Sequence, residues 1–514
     1  MLRQGFALVL GMGCLAILPA PLRQAAAAGG ELRLTVNDRD TGKPIACRIH
    51  LKNAKGVAQK AAKMPFWQDH FVFPGKLTLK LPKGNYTFEI ERGPEYANCT
   101  GYFTIEDSAD DEKTIDLHRA VNMADEGWWS GDLHIHRAEK DIRLLMEAED
   151  LHVAPLVTWW NDRASWAGKP LPAKPLVKFD GNRYYQLLAG EDERAGGALL
   201  YFNLDRPLEI AGGKTEFPAM MDFLLAAREQ PRAWIDVEKP FWWDVPIWLA
   251  SGKVDSIGLA NDRMCRDQMS PGGEAWGKPR DKSRLREPLG NGLWTQEIYF
   301  HALNCGLRIP PSAGSASGVQ PNPVGYNRMY VWVDKDDFNY DAWWEAFQQG
   351  RVLVTNGPLL RPLAENRLPG HVFKAAAGEE LSLEITANLT TRDTIDYLEV
   401  IQDGRVAHSV RLDDWVKANG HFPPIKFRTS GWFLVRAVTT NAKTYRFAAS
   451  APWYVEIGEQ PRISKRSAEF FLDWVNEHSA QLKLDDARQR AEVLKYHDMA
   501  RTYWLDLVSK ANAE

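Results

Sequence analysis

Apolar residues recur with period two at the start of the chain. Glu31–Val36 reads ELRLTV, Leu77–Leu81 reads LTLKL and Tyr86–Ile90 reads YTFEI. Asn37-Asp38-Arg39-Asp40 and Pro82-Lys83-Gly84 punctuate them, so residues 29–120 are predicted as a small antiparallel β-sandwich. Over 121–360 the pattern changes. Strand-like runs at 132–136, 154–160, 184–191, 199–204, 233–238 and 256–261 alternate with helix-like ones at 139–149, 218–228, 245–251 and 295–305. That alternation predicts a parallel sheet with crossover helices, open or closed into a barrel. In 361–460, LSLEITANL, IDYLEVIQDG and GWFLVRAVTT predict a second β-sandwich. The last segment, 461–514, reads as a helical hairpin. Phe470, Phe471 and Trp474 form one core-facing stripe, and Ala491, Leu494, Met499, Trp504 and Leu507 form the other.

The first 28 residues read as a cleaved signal peptide. Arg3 supplies a positive start, Gly5–Ala20 an apolar stretch, and Ala25–Ala28 a small-residue cleavage site. The mature chain is expected in the periplasm or outside the cell, with no membrane span. Of 514 residues 45% are hydrophobic and 25% charged, which excludes a disordered chain. With 63 Lys+Arg against 67 Asp+Glu there is no basic excess for nucleic-acid binding. The compartment permits disulfides, so Cys47 with Cys99 and Cys265 with Cys305 are candidate pairs, with four buried thiols as the alternative.

Chemistry concentrates in the central segment. Gly131-Asp132-Leu133-His134-Ile135-His136 would point two imidazoles the same way from a strand, which is half of a metal site. Glu191-Asp192-Glu193 follows the apolar run YYQLLAG and offers a ligand or general base, or else a solvated turn. Glu238 ends AWIDVE before Lys239-Pro240, two residues after Asp236. Trp128-Trp129, Trp159-Trp160, Trp242-Trp243 and Trp343-Trp344 would either line a pocket for a carbohydrate or aromatic ligand or pack in the core. The small-residue run Pro310–Gly318 would let a loop approach a ligand closely. There is no nucleophile elbow and no phosphate-binding glycine fingerprint.

Two stretches resemble known families. TGKPIACRIHL and PKGNYTFEIERGPEY resemble the carboxypeptidase-regulatory-like domain. GWWSGDLHIHR, followed in order by GGALLYFNL, LASGKVDSIGLAN and GRVLVTNGPLL, resembles the PHP-type metallohydrolases, specifically the CehA/McbA branch. The resemblance implies a multidomain α/β chain in which a PHP-like distorted (β/α)7 barrel lies between N- and C-terminal β-sandwiches, ahead of the helical hairpin. It implies that His134, His136 and Glu191 are metal ligands. Trp159-Trp160, Glu238-Lys239-Pro240 and Gly314-Ser315-Ala316-Ser317-Gly318 replace the branch's remaining ligand motifs. Because Trp, Ala and Gly cannot ligate, one divalent ion (Zn, Mn or Fe) is expected, with Glu238 as a further ligand. The implied function is hydrolysis of an ester, amide, carbamate or phosphoester bond in a small-molecule or carbohydrate-like substrate. Asp192 or Glu193 would be the base, and Arg137 would hold an anionic group. The alternative is an inactive PHP-like binding protein with a Trp-lined pocket.

Overall fold

A computed structural model describes residues 29–514, so the expected signal peptide lies outside the described residues. The N-terminal unit contains β1 (Gly29–Asp38), β2 (Cys47–Asn53), β3 (Phe66–Trp67), β4 (His70–Phe73), β5 (Lys76–Pro82), β6 (Gly84–Glu91), β7 (Cys99–Ile105) and β8 (Asp110–Leu117). They form two sheets in the orders β5-β1-β8 and β3-β4-β2-β6-β7. Period-two patterning explains the packing. Leu32, Leu34 and Val36 of β1 turn inward onto Ile49, Phe71 and Ile90 of the other sheet, while Arg33 stays outside. The antiparallel expectation fails at one pair, because β1 and β8 run parallel.

Among the described residues the candidate disulfides are absent, and Cys47, Cys99, Cys265 and Cys305 are free thiols. Cys47 lies on β2 and Cys99 on β7, with β6 between them. At about 4.8 Å per strand that separation exceeds the reach of a disulfide, about 7 Å between Cα atoms. Cys265 instead donates to the Asp262 carbonyl, and Cys305 ends a helix.

The central segment contains β9 (Trp128–Gly131), α1 (Glu139–Ala148), β10 (Val153–Trp160), β11 (Arg163–Ala164), β12 (Leu176–Phe179), β13 (Arg183–Arg194) and β14 (Gly197–Phe202). It continues with α2 (Met220–Arg228), β15 (Trp234–Val237), α3 (Val245–Ser251), β16 (Ser256–Ala260), α4 (Gly290–Asn304), β17 (Pro311–Ala313), β18 (Arg328–Trp332), α5 (Tyr340–Gln348) and β19 (Val352–Thr355). Hydrogen-bonded pairing runs β9-β10-β13-β14-β15-β16-β17. The ring closes where Ile135, just past β9, bridges both Leu156 and Ser317. The sheet is mixed rather than parallel, because β14 is antiparallel to both β13 and β15. Only Ala195-Gly196 separates β13 from β14, and so short a link makes a hairpin, not a crossover. Strand β13 also runs through Glu191-Asp192-Glu193, so these acids are not a solvated turn.

β19 pairs with the strand Phe447–Ser450, so the sheet continues across residue 360 into the C-terminal β unit. That unit has its own core around Trp415, Phe427, Phe433 and Trp453. The helices Lys465–Gln481 and Ala487–Ser509 pack as a pair on α3 and α4. Phe471 and Trp474 are buried as expected. On the second helix the buried face is Val493, His497, Ala500, Trp504 and Leu507, while Ala491 is exposed. The predicted stripe was displaced because His497, polar on paper, belongs to the core. Among the described residues no helix is long and apolar enough to cross a membrane.

Candidate metal centre

The segment 132–136 is threaded between β10 and the loop 311–318. The Leu133 N–H donates to Ala313 O at 3.0 Å, His136 N–H to Ser317 O at 2.8 Å, and Val157 N–H to Ile135 O at 2.9 Å. The predicted strand 132–136 is reduced to bridge pairings at Ile135, because β9 ends at Gly131; His134 and His136 flank this fully buried residue on one side. Asp132 fixes its start. This buried carboxylate accepts from the His134 N–H at 3.0 Å, the Ser315 N–H at 2.9 Å and the Gly325 N–H at 2.6 Å. The glycines of the small-residue loop are explained by this threading. A Cβ on Gly314 would lie 2.4 Å from the His134 Cβ, and one on Gly318 2.8 Å from the His136 backbone. The loop makes a close approach, as its composition implied, but to the histidine segment.

Glu191 arrives from β13, in register with Trp160 of β10. The two Nε2 atoms of His134 and His136 lie 2.9 Å apart. Glu191 Oε1 is 3.3 Å from His134 Nε2, and Oε2 is 3.1 Å from His136 Nε2. All three side chains are buried, with 2%, 3% and 7% exposure. Trp160 stands edge-on to His136, with ring centroids 4.9 Å apart, and walls one side.

Glu238 is brought close but not as a ligand. Its Oε1 lies 3.2 Å from His134 Nδ1, the ring nitrogen facing away from His136 and Glu191. A carboxylate there keeps a proton on Nδ1, so that Nε2 is the nitrogen that would give up its proton to an ion in the centre. Asp192 is also removed from the expected roles. Side chains alternate along a strand, so it faces away from Glu191 and Glu193. Both its oxygens are taken, at 2.8 and 2.9 Å by Arg194 and at 2.5 Å by Asn161. Glu193 stays at the rim, its side chain 37% exposed. Arg137 lies over the Trp67 ring at 5.3 Å, with a buried Nη1 that has no hydrogen-bond partner.

Sequence reasoning missed Lys239 and Asp262. The Lys239 ammonium is fully buried, 2.6 Å from Glu238 Oε2, 2.7 Å from Glu193 Oε2 and 3.7 Å from Asp262 Oδ2. Gln320 donates to Asp262 at 3.2 Å. The available signal was charged residues directly after two apolar strands, WIDV-Glu-Lys and SIGLA-Asn-Asp.

Electrostatics follow from burial and this charge pattern. Burial opposes charge on His134, but the carboxylates of Glu191 and Glu238 on its two sides raise its pKa well above the ordinary histidine value. His136 is lowered, chiefly by burial. Burial works against ionised Glu191, yet the two imidazoles hold it well below the usual carboxylate range. Burial pushes Glu193 up to about 7, with Lys239 pulling the other way. Lys239 is held charged against burial by Asp262, Glu193 and Glu238.

The donor set fits a divalent ion. Without an ion, His134 carries a proton on each ring nitrogen, Nδ1 toward Glu238 and Nε2 toward Glu191. A cation can take the place of the Nε2 proton at the common focus of His134, His136 and Glu191, whose ligand atoms lie within 4.8 Å of one another. Two imidazoles and one carboxylate with a fourth position open is a familiar set for Zn²⁺ or Fe²⁺.

The Trp pairs are mostly core. Trp128, Trp129, Trp159, Trp242, Trp343 and Trp344 are buried, and only Trp160 and Trp243 are partly exposed. Trp159 lies on Gly190, where a Cβ would come within 2.0 Å of the indole.

No family model matches the chain, and no curated protein matches it. Among solved structures, the Bacillus anthracis TIE protein is 20% identical over 22% of this chain and 19% of its own length, with a TM-score of 0.15. Fibronectin(III)-like modules of Clostridium thermocellum CbhA are 16% identical over 19% of this chain and 98% of theirs, with a TM-score of 0.14. Apo Bacteroides uniformis beta-glucuronidase 3 is 10% identical over 85% and 64%, with a TM-score of 0.18.

Proposed function

We propose that the chain is an exported hydrolase of ester, amide, carbamate or phosphoester bonds, with a PHP-like distorted (β/α)7 barrel and one divalent ion at its centre. The observation that carries this reading is the convergence of His134 Nε2, His136 Nε2 and the Glu191 carboxylate within 2.9–3.3 Å. When bound there, an ion polarises a carbonyl or phosphoryl oxygen and makes water nucleophilic near neutral pH. Glu238 holds the His134 tautomer. Lys239 neutralises the surplus of carboxylates and, as a fixed ammonium among Glu193, Glu238 and Asp262, leaves no room for a second ion beside them. Glu193, at the exposed rim and hydrogen-bonded to Lys239, is the proposed base that takes a proton from water. Arg137, which packs over Trp67 and has a buried nitrogen with no hydrogen-bond partner, is the candidate holder of an anionic substrate group.

The binding-module alternative loses its main support, since most of the paired tryptophans are core. The test is elemental analysis of the mature protein purified without chelator, beside hydrolysis assays on p-nitrophenyl esters, aryl carbamates and p-nitrophenyl phosphate. One ion should disappear between wild type and His134→Ala, together with turnover. An unchanged metal content in His134→Ala and Glu191→Gln would overturn the reading.

A further inference from the structure

A second group of metal-ligating side chains lies in the N-terminal sandwich. Strands β2 and β4 are antiparallel, with Ile49 opposite Phe71, so His50 stands opposite His70 on one face. The imidazole centroids are 5.1 Å apart. Asp69 occupies the turn of the β3–β4 hairpin, directly before His70, and folds its carboxylate between the rings. Its Oδ2 is 3.0 Å from His50 Nδ1, and its Oδ1 is 3.1 Å from His70 Nδ1. One ligand atom from each of the three residues lies within 4.8 Å of the other two. Ligands at about 2.0–2.1 Å around a tetrahedral ion sit about 3.3 Å apart, close to the two separations between Asp69 and the imidazoles.

The surroundings suit an ion as well. His50 and His70 are 5% and 2% exposed, while the Asp69 side chain is 31% exposed, which leaves one side open to solvent for a fourth ligand. Lys52 lies 3.9 Å from Asp69, but its side chain is 45% exposed and free to turn outward. The hairpin that carries Asp69 and His70 is fastened to the rim of the central site. The Trp67 indole N–H donates to Gln320 O at 2.8 Å, and Gln320 holds Asp262.

We propose that His50, Asp69 and His70 form a second binding site for a zinc-like divalent ion. It is separate from the central one, and it ties the β3–β4 hairpin, whose Trp67 reaches Gln320, to β2. The site does not depend on the proposed hydrolase activity.

The test uses chelator-stripped mature protein equilibrated with Zn²⁺, freed of excess metal and analysed for bound zinc. Co²⁺ loading, read by visible absorption, provides a second readout. Wild type should hold two ions, and His134→Ala, Asp69→Asn and His70→Gln one each. The double variant His134→Ala/Asp69→Asn should hold none. Asp69→Asn preserves the shape of the turn, and a far-ultraviolet circular dichroism spectrum checks that each variant is folded. Binding of no ion by folded His134→Ala, or a wild-type count in both Asp69→Asn and His70→Gln, would overturn the proposal. Wild type holding a single ion that Asp69→Asn removes and His134→Ala keeps would support this site while overturning the central one.

Discussion

At the scale of single residues, Glu238 and Asp192 show how one strand position changes a role. Glu238 touches the outer nitrogen of His134. Glu238→Gln should therefore keep one ion at the central site but weaken it about 10–100-fold, the usual cost of removing such a support. Competition with a fluorescent chelator measures this. Asp192 pairs with the buried Arg194 and does not face the centre. Asp192→Ala should leave metal content unchanged and cost about 3–5 kcal/mol of stability, because it strands a buried guanidinium; urea unfolding reads the loss. His134 adds a signed pH dependence. In metal-free protein its raised pKa means that the stability it contributes is complete below its unfolded value, about 6.5, and is lost as pH rises through the folded value. A metal ion must displace that proton, so metal binding strengthens over the same interval. The increase in Tm on adding Zn²⁺ should grow from pH 6 to pH 9, and in His134→Ala the part of that increase due to the central site should vanish.

At the scale of elements, the central site depends on a loop meeting a strand. Gly314→Ala would force a Cβ to within 2.4 Å of the His134 Cβ, inside a packed interior. Overpacking of that kind costs about 1–3 kcal/mol. It should also lower metal affinity, since His134 has to move, and paired urea melts with and without Zn²⁺ would show both effects. The C-terminal helices act at the same scale. Trp504 is fully buried, and its indole donates to Pro246 O at 3.0 Å, on α3. Trp504→Ala should cost about 3–5 kcal/mol, seen as a fall in Tm without loss of the central ion.

Across the whole molecule, the N-terminal sandwich is joined to the central ring by buried ion pairs. Asp150, after α1, accepts from Arg92 of the sandwich at 3.1 Å, from Arg119 at 2.6 Å and from Arg183 of β13 at 2.6 Å. Burial disfavours its charge, but the three arginines hold its pKa well below the usual range. Asp150→Ala should cost about 3–5 kcal/mol and free the sandwich, so that limited proteolysis cuts near residue 120 while wild type resists.

Periodicity by itself located most of the elements, because burial on one face leaves a repeating trace in the chain: 245–251 for α3, 153–160 against a predicted 154–160, and both C-terminal helices. Spacing also drew attention to His134 and His136 and to the acids Glu191-Asp192-Glu193, since i, i+2 spacing and the end of an apolar strand are local properties; that Glu191 is the ligand among the three came from the family resemblance. Strand direction at β14, the free thiols, the core role of the tryptophans and the displaced face of the last helix were decided only by the tertiary structure. Each depends on which segments become neighbours, and local pattern carries no record of that. Lys239 and Asp262 belong to the same class. Their charges read as ordinary surface residues until three strands bring Glu193, Glu238 and Asp262 around one ammonium, where burial makes each charge depend on the others.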